Sequence, residues 1–561
     1  MMTSAKKSVA RLVEVCYRRG LREVIFSPGS RNAPLVIAFT AHKGFNCQTV
    51  PDERVAAFIA LGHGIATSKP TIICCTSGSA VLNYAPAIVE AYYQHVPLLV
   101  LTADRPSEWI DQGIGQSMRQ KDVYYNYIKS SSQWIEQADS DDELLANDQI
   151  FNQAISAALT PPLGPAHINL PFYEPLYDTE EIHEFNPPLK LSPLASNGAY
   201  VLDQHISDLW KEGRKKVIIA GLFHPNTELS NTLSLLAERE DIVLITETTA
   251  NIKESTIGCI DRALNDVGDS SDTLRPDLLI SIGGPIVSKL IKAFFRKNKP
   301  NNHIYIDSGK LKDTYRTDPV HIDTEPLEVL KQLMQISSSN NEDFQNEWQL
   351  LEAATYNSHK NYIEKCVYSD LKVMSEIFTA LPRNSNVHLA NSTPVRYAQL
   401  FNQDKDVSYY SNRGVSGIDG SISTSIGFAQ RSNDKNILIT GDMSFFYDSN
   451  AFWIKRLPSN LAIILINNGG GGIFRYIPGP DTTNQLEAVF EAHHNFDASH
   501  ICRMYGMTYY QAKNLEEFKE KYALIVENRD RMMLLEVFTP QLENAQILRE
   551  YFEYIKTNTV K

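Results

Sequence analysis

Short apolar runs alternate with longer segments of helical periodicity along most of the chain. Residues 24–26, 72–75 and 96–101 are apolar, and each run is closed by turn residues, which predicts an α/β block with a mostly parallel sheet. The residues closing these runs are small, polar or cationic: Ser27-Pro-Gly-Ser-Arg-Asn, Thr76-Ser-Gly-Ser-Ala and Thr102-Ala-Asp-Arg-Pro. Three such turns at the carboxyl ends of strands predict a binding edge. Residues 186–197 are Pro-rich and aperiodic and read as a linker. A second block has apolar runs at 217–220, 242–245, 278–282 and 303–306, but no Gly-x-Gly-x-x-Gly succeeds any of them, so a dinucleotide site is not expected. A polar break at 337–343 precedes a third block with runs at 387–390 and 533–538. The expected fold is α/β with three domains, 1–185, 198–335 and 365–561, each a mostly parallel sheet flanked by helices.

The third block contains the stretch around which the rest is organised. Apolar runs beginning at Ile437 and Leu461 flank a segment of helical length and end in Gly441-Asp442-Met443 and Asn467-Asn468 with four glycines. A strand-helix-strand crossover brings both polar ends to one sheet edge. A carboxylate, an amide oxygen and glycine carbonyls are hard oxygen donors, suited to magnesium that also holds a phosphate. An ordinary alternative stands beside this: Asp after a strand caps the next helix, and Asn-Gly makes turns. A second Gly- and Ser-rich turn, Asn412-Arg-Gly-Val-Ser-Gly-Ile-Asp-Gly, also allows close backbone approach to a ligand.

Composition narrows the classes. With 561 residues and 43% hydrophobic content the chain can bury several cores. Its net charge of -13 opposes nonspecific binding of nucleic acid or anionic membranes, so anionic substrates must be captured by local Arg and Lys clusters. Seven cysteines without Cys-x-x-Cys spacing read as reduced, mostly buried thiols of a cytoplasmic protein, and no stretch reads as a signal peptide or integral membrane segment. The 14 histidines, including His493-His494, lack zinc spacing, and Ser79 lacks a nucleophile elbow.

Taken together, these motifs resemble the thiamine-diphosphate enzymes of the decarboxylase and carboligase type. Those enzymes join a pyrimidine-binding domain, a central Rossmann-like domain and a diphosphate-binding domain. Asp52-Glu-Arg, the strand-end turns, the 412–420 turn and Gly471-Gly-Ile-Phe are similar to the branch that couples 2-oxoglutarate to isochorismate in menaquinone biosynthesis. The resemblance implies a transferase that decarboxylates 2-oxoglutarate and adds the four-carbon carbanion to isochorismate. It implies thiamine diphosphate with Mg2+ or Mn2+ held by Asp442, Asn468 and Gly470. Ile418, Ile473 and Phe474 would contact the cofactor, and Glu53 would hydrogen-bond its aminopyrimidine ring. By the same resemblance Ser392, Arg396 and Arg413 would bind the carboxylates of 2-oxoglutarate, while Ser30, Arg31, Arg105, Gln116 and Lys289 would face isochorismate. Arg suits dianions because it pairs bidentately with carboxylate. Read alone, Glu53 is equally an acidic residue at a helix start, and Ile418 a core aliphatic. A pyruvate-using carboligase and a non-catalytic phosphate sensor are the rival readings; the first needs no paired Arg396 and Arg413, the second no Glu53. The resemblance also implies a homodimer or homotetramer with the active site between subunits.

Overall fold

The computed structural model describes residues 2–191, 200–265, 267, 272–337, 342–404, 406–477 and 479–559. The chain forms two compact units. The first comprises Met1–Asn197, Gly414–Asn433 and Asp448–Pro458, and the second Gly198–Arg413, Asp434–Tyr447 and Ser459–Lys561. The part of the linker reading beyond residue 191, and positions 338–341 of the polar break, lie outside the described residues.

The first unit holds strands β1 (Met2–Ser4), β2 (Glu23–Phe26), β3 (Asn46–Thr49), β4 (Thr71–Cys75), β5 (Leu98–Asp104), β6 (Ser130–Gln133), β7 (Pro165–Pro171) and β8 (Thr179–Glu181). Six of them form a parallel sheet in the order β3-β2-β4-β5-β7-β6, and β1 pairs antiparallel with β8. β5 extends past the expected turn at Thr102, because Thr102, Ala103 and Asp104 continue the ladder with Asn169, Leu170 and Pro171 of β7. β7 itself escapes the pattern reading because prolines stand at both its ends. The helix Glu53–Thr67 crosses the helix Ser421–Ala429 at glycines: a Cβ on Gly62 would meet the Thr424 carbonyl oxygen at 2.1 Å, and one on Gly427 the Ile59 carbonyl oxygen at 2.1 Å.

The second unit holds two sheets. β9 (Lys216–Ala220), β10 (Ile242–Thr246), β11 (Leu278–Ile282), β12 (Asn302–Ile306) and β13 (Val320–Ile322) form a parallel sheet ordered β10-β9-β11-β12-β13. The glycine turns at its carboxyl edge are filled from within, since the Phe223 ring sits 2.4 Å from where a Gly283 Cβ would lie. β14 (Ser385–Leu389), β15 (Val407–Tyr410), β16 (Lys435–Gly441), β17 (Leu461–Asn467), β18 (Thr508–Ala512) and β19 (Met533–Phe538) form the other, ordered β15-β14-β16-β17-β19-β18. β16 and β17 are parallel neighbours with Gly441 opposite Ile466, so Asp442 and Asn467 leave the sheet on one edge. The crossover differs from expectation in where its helix lies. The helix begins at once, as Asp442–Tyr447, and the 449–458 segment contributes only a 3-10 turn, Ser449–Phe452.

Candidate active site

The corner at the ends of β16 and β17 is built around a buried carboxylate. Asp442 is 2% exposed. Its Oδ1 accepts the Met443 N–H at 2.7 Å, and its Oδ2 accepts the Gly469 and Gly470 N–H groups, both at 2.9 Å. Gly470 has φ +147, and a Cβ there would lie 2.6 Å from the Glu491 carbonyl oxygen, so no other residue fits this close approach. The two asparagines part ways. Asn467 is structural: its amide donates to Glu536 at 2.7 Å and to the Phe496 carbonyl at 2.9 Å. Asn468 donates to Asp370 Oδ2 at 2.9 Å, which orients the amide and leaves its oxygen as an acceptor. Asp370 is fully buried, also accepts the Thr539 hydroxyl at 2.6 Å, and is pushed up to about 6 chiefly by burial.

These groups meet what a hard dication requires. Among the described residues no three His, Cys, Asp or Glu side chains converge on a metal position; the groups at this corner that could hold a dication are an acid, an amide oxygen and a glycine carbonyl. The recorded partners of Asp442 are three backbone N–H groups and His494, whose Nε2 lies 3.4 Å from Oδ2.

In the same unit, Asn468, Ile473, Arg396 and Lys289 line one cavity of about 550 Å³. Phe474 packs on Phe490 with ring centroids 5.6 Å apart. Ser392 holds φ 74 at the start of the helix Thr393–Ala398, which carries Arg396. Arg413 is 8% exposed and donates from Nη1 to Asn391 at 2.9 Å. Lys289 is exposed at the start of the helix Lys289–Lys297, and Lys292, half-buried one turn later, feels both Arg396 and Arg413. Burial first, then those cations, hold Lys292 below the usual lysine range. Beneath this helix start, Glu247 accepts the Val287 and Ser288 N–H groups, both at 2.6 Å, and burial pushes its carboxyl up to about 7.

The first unit holds the remaining candidates. Glu53 is the first residue of its helix; Asp52 caps it by accepting the Val55 N–H at 3.2 Å and takes an Asn450 amide at 2.9 Å. Burial, above all, raises the Glu53 carboxyl. Ile418 is half-buried in the turn leading to the helix Ser421–Ala429. The buried Glu90 anchors the start of that turn by accepting the Gly414 and Val415 N–H groups at 2.6 and 2.8 Å. Arg105 donates to the Gly115 carbonyl at 3.0 Å, and Gln116 packs against Gly78, whose N–H is held by Gln120 at 2.9 Å. Ser30 is exposed. Arg31 is only 2% exposed and is committed to the Phe172 carbonyl at 3.0 Å and to Glu174 at 3.5 Å.

Asp370, Glu247, Glu90 and Lys292 are absent from the motif reading, and His494 enters it only as half of a histidine pair without zinc spacing. Each acts through a partner distant in sequence, and only Ser369-Asp370, a helix-start pair, leaves a local signal.

Comparison with known proteins agrees with this geometry. Residues 7–123 match the family described as thiamine pyrophosphate enzyme, N-terminal TPP binding domain, residues 193–389 the middle domain of thiamine pyrophosphate, and residues 392–537 the C-terminal TPP binding domain. A 2-succinyl-5-enolpyruvyl-6-hydroxy-3-cyclohexene-1-carboxylate synthase of Flavobacterium johnsoniae is 40% identical over 97% of this chain and 98% of its own. One from Christiangramia forsetii is 40% identical over 99% and 100%, and one from Porphyromonas gingivalis 36% over 98% of each. With near-complete coverage at this identity, and with all three thiamine pyrophosphate domains in order, the chain belongs to the family of thiamine-diphosphate-dependent 2-succinyl-5-enolpyruvyl-6-hydroxy-3-cyclohexene-1-carboxylate synthases.

Proposed function

We propose that the chain catalyses decarboxylation of 2-oxoglutarate and addition of the resulting four-carbon unit to isochorismate, a transferase reaction of menaquinone biosynthesis. The observation that carries the reading is the buried Asp442 tied to Gly469 and Gly470 beside an oriented Asn468 amide. Asp442, the Asn468 amide oxygen and the Gly470 carbonyl would hold Mg2+ or Mn2+ and with it a diphosphate. When bound, thiamine diphosphate supplies the electron sink for the carboxylate that leaves as carbon dioxide.

The protein's own residues have separate tasks. Glu53, its carboxyl raised by burial, holds or releases a proton toward the aminopyrimidine ring. Ile418, Ile473 and Phe474 supply apolar contact to the cofactor. Ser392, Arg396 and Arg413 bind the carboxylates of 2-oxoglutarate, and two arginines match a dianion where one would serve pyruvate. Ser30, Arg31, Arg105, Gln116 and Lys289 face isochorismate; in this division Arg31 acts by holding the 27–32 turn through Phe172. Exclusion of water from this site would protect the four-carbon unit from protonation before it adds. The blocks 1–185, 198–335 and 365–561 serve as pyrimidine, central and diphosphate domains. We further assign a homodimer or homotetramer with the site between subunits, in the cytoplasm; no helix among the described residues is long and apolar enough to cross a membrane.

The direct test is release of carbon dioxide from 2-oxoglutarate by purified protein with thiamine diphosphate and Mg2+, with and without isochorismate. Consumption of both substrates in equal amounts is expected. Absence of release under both conditions would sink the proposal.

A further inference from the structure

The adjacent histidines 493 and 494, which no zinc spacing explains, lie against the Asp442 corner. His494 is 7% exposed at its side chain. Its ring stacks on Phe496 at 5.2 Å with an interplanar angle of 13°, and meets Phe446 edge-on at 5.3 Å. The Phe496 N–H donates to Nδ1 at 3.2 Å. A neutral ring that accepts at Nδ1 carries its proton on Nε2. That nitrogen has no hydrogen-bond partner, and the atom it approaches is Asp442 Oδ2 at 3.4 Å. The main chain works from the same place, because the His494 N–H donates to the Gly469 carbonyl at 3.1 Å.

We propose that His494 is a positioning residue for the cation corner, fixing the Asp442 carboxylate through Nε2–H and the Gly469 turn through its main-chain N–H. The inference rests on the reading of Asp442, Asn468 and Gly470 as ligands of a divalent cation. Oδ2 of Asp442 already accepts two backbone N–H groups, whereas Oδ1 accepts only one, from Met443. A carboxylate oxygen has about two acceptor directions. The approach of His494 at 3.4 Å is a third, longer contact on the occupied oxygen, and it leaves Oδ1 with a lone pair for a cation. A buried donor beside a carboxylate ligand is the arrangement by which outer groups set the direction of a metal-binding side chain. The two flanking phenyl rings keep the imidazole from turning away.

The test measures Mn2+ affinity by electron paramagnetic resonance at saturating thiamine diphosphate, in the full chain. Asp442→Asn is expected to abolish cofactor-dependent Mn2+ binding. His494→Phe retains the ring stack and the main-chain N–H but deletes the donor, and is expected to weaken Mn2+ about 10–100-fold. His494→Gln returns a donor and is expected to recover most of that loss. Unchanged affinity in His494→Phe, or equal losses in the Phe and Gln variants, would overturn the inference. Cofactor-independent Mn2+ binding, or none, in the unsubstituted protein would instead overturn the cation reading beneath it. Spectra of the unsubstituted protein labelled with [15N]histidine need no folding of a variant. An Nε2-protonated ring whose resonance moves when Mg2+ and thiamine diphosphate are added supports the assignment, and an Nδ1-protonated or unresponsive ring refutes it.

Discussion

Replacing Glu247 with Gln sets two effects of similar size against each other. The carboxylate accepts two backbone N–H groups, from Val287 and Ser288, each at 2.6 Å, and these favour its charged form. Complete burial opposes them and prevails, so the carboxyl rises from 4.5 to about 7. The folded state then holds this proton more tightly than the unfolded chain does, and the stability linked to it falls as pH rises from about 4.5 to about 7. By the linkage relation the ionised folded form carries a cost of about 3 kcal/mol above pH 7, of which only a minor part is present at pH 5. Gln never ionises, but its single acceptor oxygen serves only one of the two N–H groups and its NH2 faces the other, at a cost of about 1–3 kcal/mol. Glu247→Gln is therefore expected to be weaker than the parent at pH 5 and to gain about 2–3 kcal/mol on it between pH 5 and pH 8. The assay is urea unfolding at pH 5, 6, 7 and 8 followed by tryptophan emission, since Trp210 and Trp348 are buried in the same compact unit as Glu247. If the difference between variant and parent does not change from pH 5 to pH 8, burial does not prevail over the two N–H bonds and the Glu247 carboxyl is not raised.

Other expectations bear on the site and on the helix crossing. Glu53→Gln should leave affinity for metal and diphosphate largely intact while slowing proton exchange at the thiazolium carbon, measured by deuterium uptake; unchanged exchange would remove Glu53 from its role. Arg413→Ala should raise KM for 2-oxoglutarate or depress kcat, by an amount in the range of about 2–5 kcal/mol for losing one partner of a buried charge pair. An effect confined to isochorismate would reverse the assignment of the cations. Gly427→Ala should cost about 1–3 kcal/mol, because its Cβ would lie 2.1 Å from the Ile59 carbonyl oxygen, an atom of backbone that cannot rotate aside; a Tm equal to that of the parent would contradict the crossing.

The parallel sheets were legible in the sequence wherever a strand is buried on both faces, since such strands appear as unbroken apolar runs. β9, β10 and β11 are of this kind. β3, with Asn46-Cys-Gln-Thr, and β6, with Ser130-Ser-Ser-Gln, are sheet edges that carry polar residues, and nothing local marks them as strands. The division into units was hidden for a different reason. Gly62 falls within the helical pattern that Glu53 opens, and nothing local sets it or Gly427 apart, yet they are the contact points that place the 414–433 segment with the first unit. Among the candidate site residues, those on strand-end turns were visible because glycine and polar residues succeed apolar runs. Asp370 and Glu247 were not, because a lone buried acid owes its place to partners such as Asn468, almost a hundred residues away, and Ser288.

The choice between helix cap and cation ligand for Asp442 turns on its two oxygens. Local helix-start geometry explains one of them: Oδ1 accepts the N–H of its neighbour Met443 at the start of the helix Asp442–Tyr447, short of the N–H groups two or three residues on that a full cap bonds. It does not explain the other, because Oδ2 reaches across to Gly469 and Gly470, which lie beyond the end of a different strand. A cap gains nothing from that link, which ties a carboxyl at 2% exposure to the ends of two strands through three backbone N–H groups. The two-strand link with its buried charge is what a site for a dication and diphosphate needs, since it fixes the carboxylate and the glycine carbonyls relative to each other before any ligand arrives. Asp442→Asn separates the two roles. It keeps one acceptor oxygen, for Met443 or for the Gly469 and Gly470 N–H groups but not for both, so the variant should fold with a modestly lowered Tm while losing cofactor-dependent Mn2+ binding. A large fall in Tm with metal affinity preserved would leave Asp442 a helix cap and nothing more.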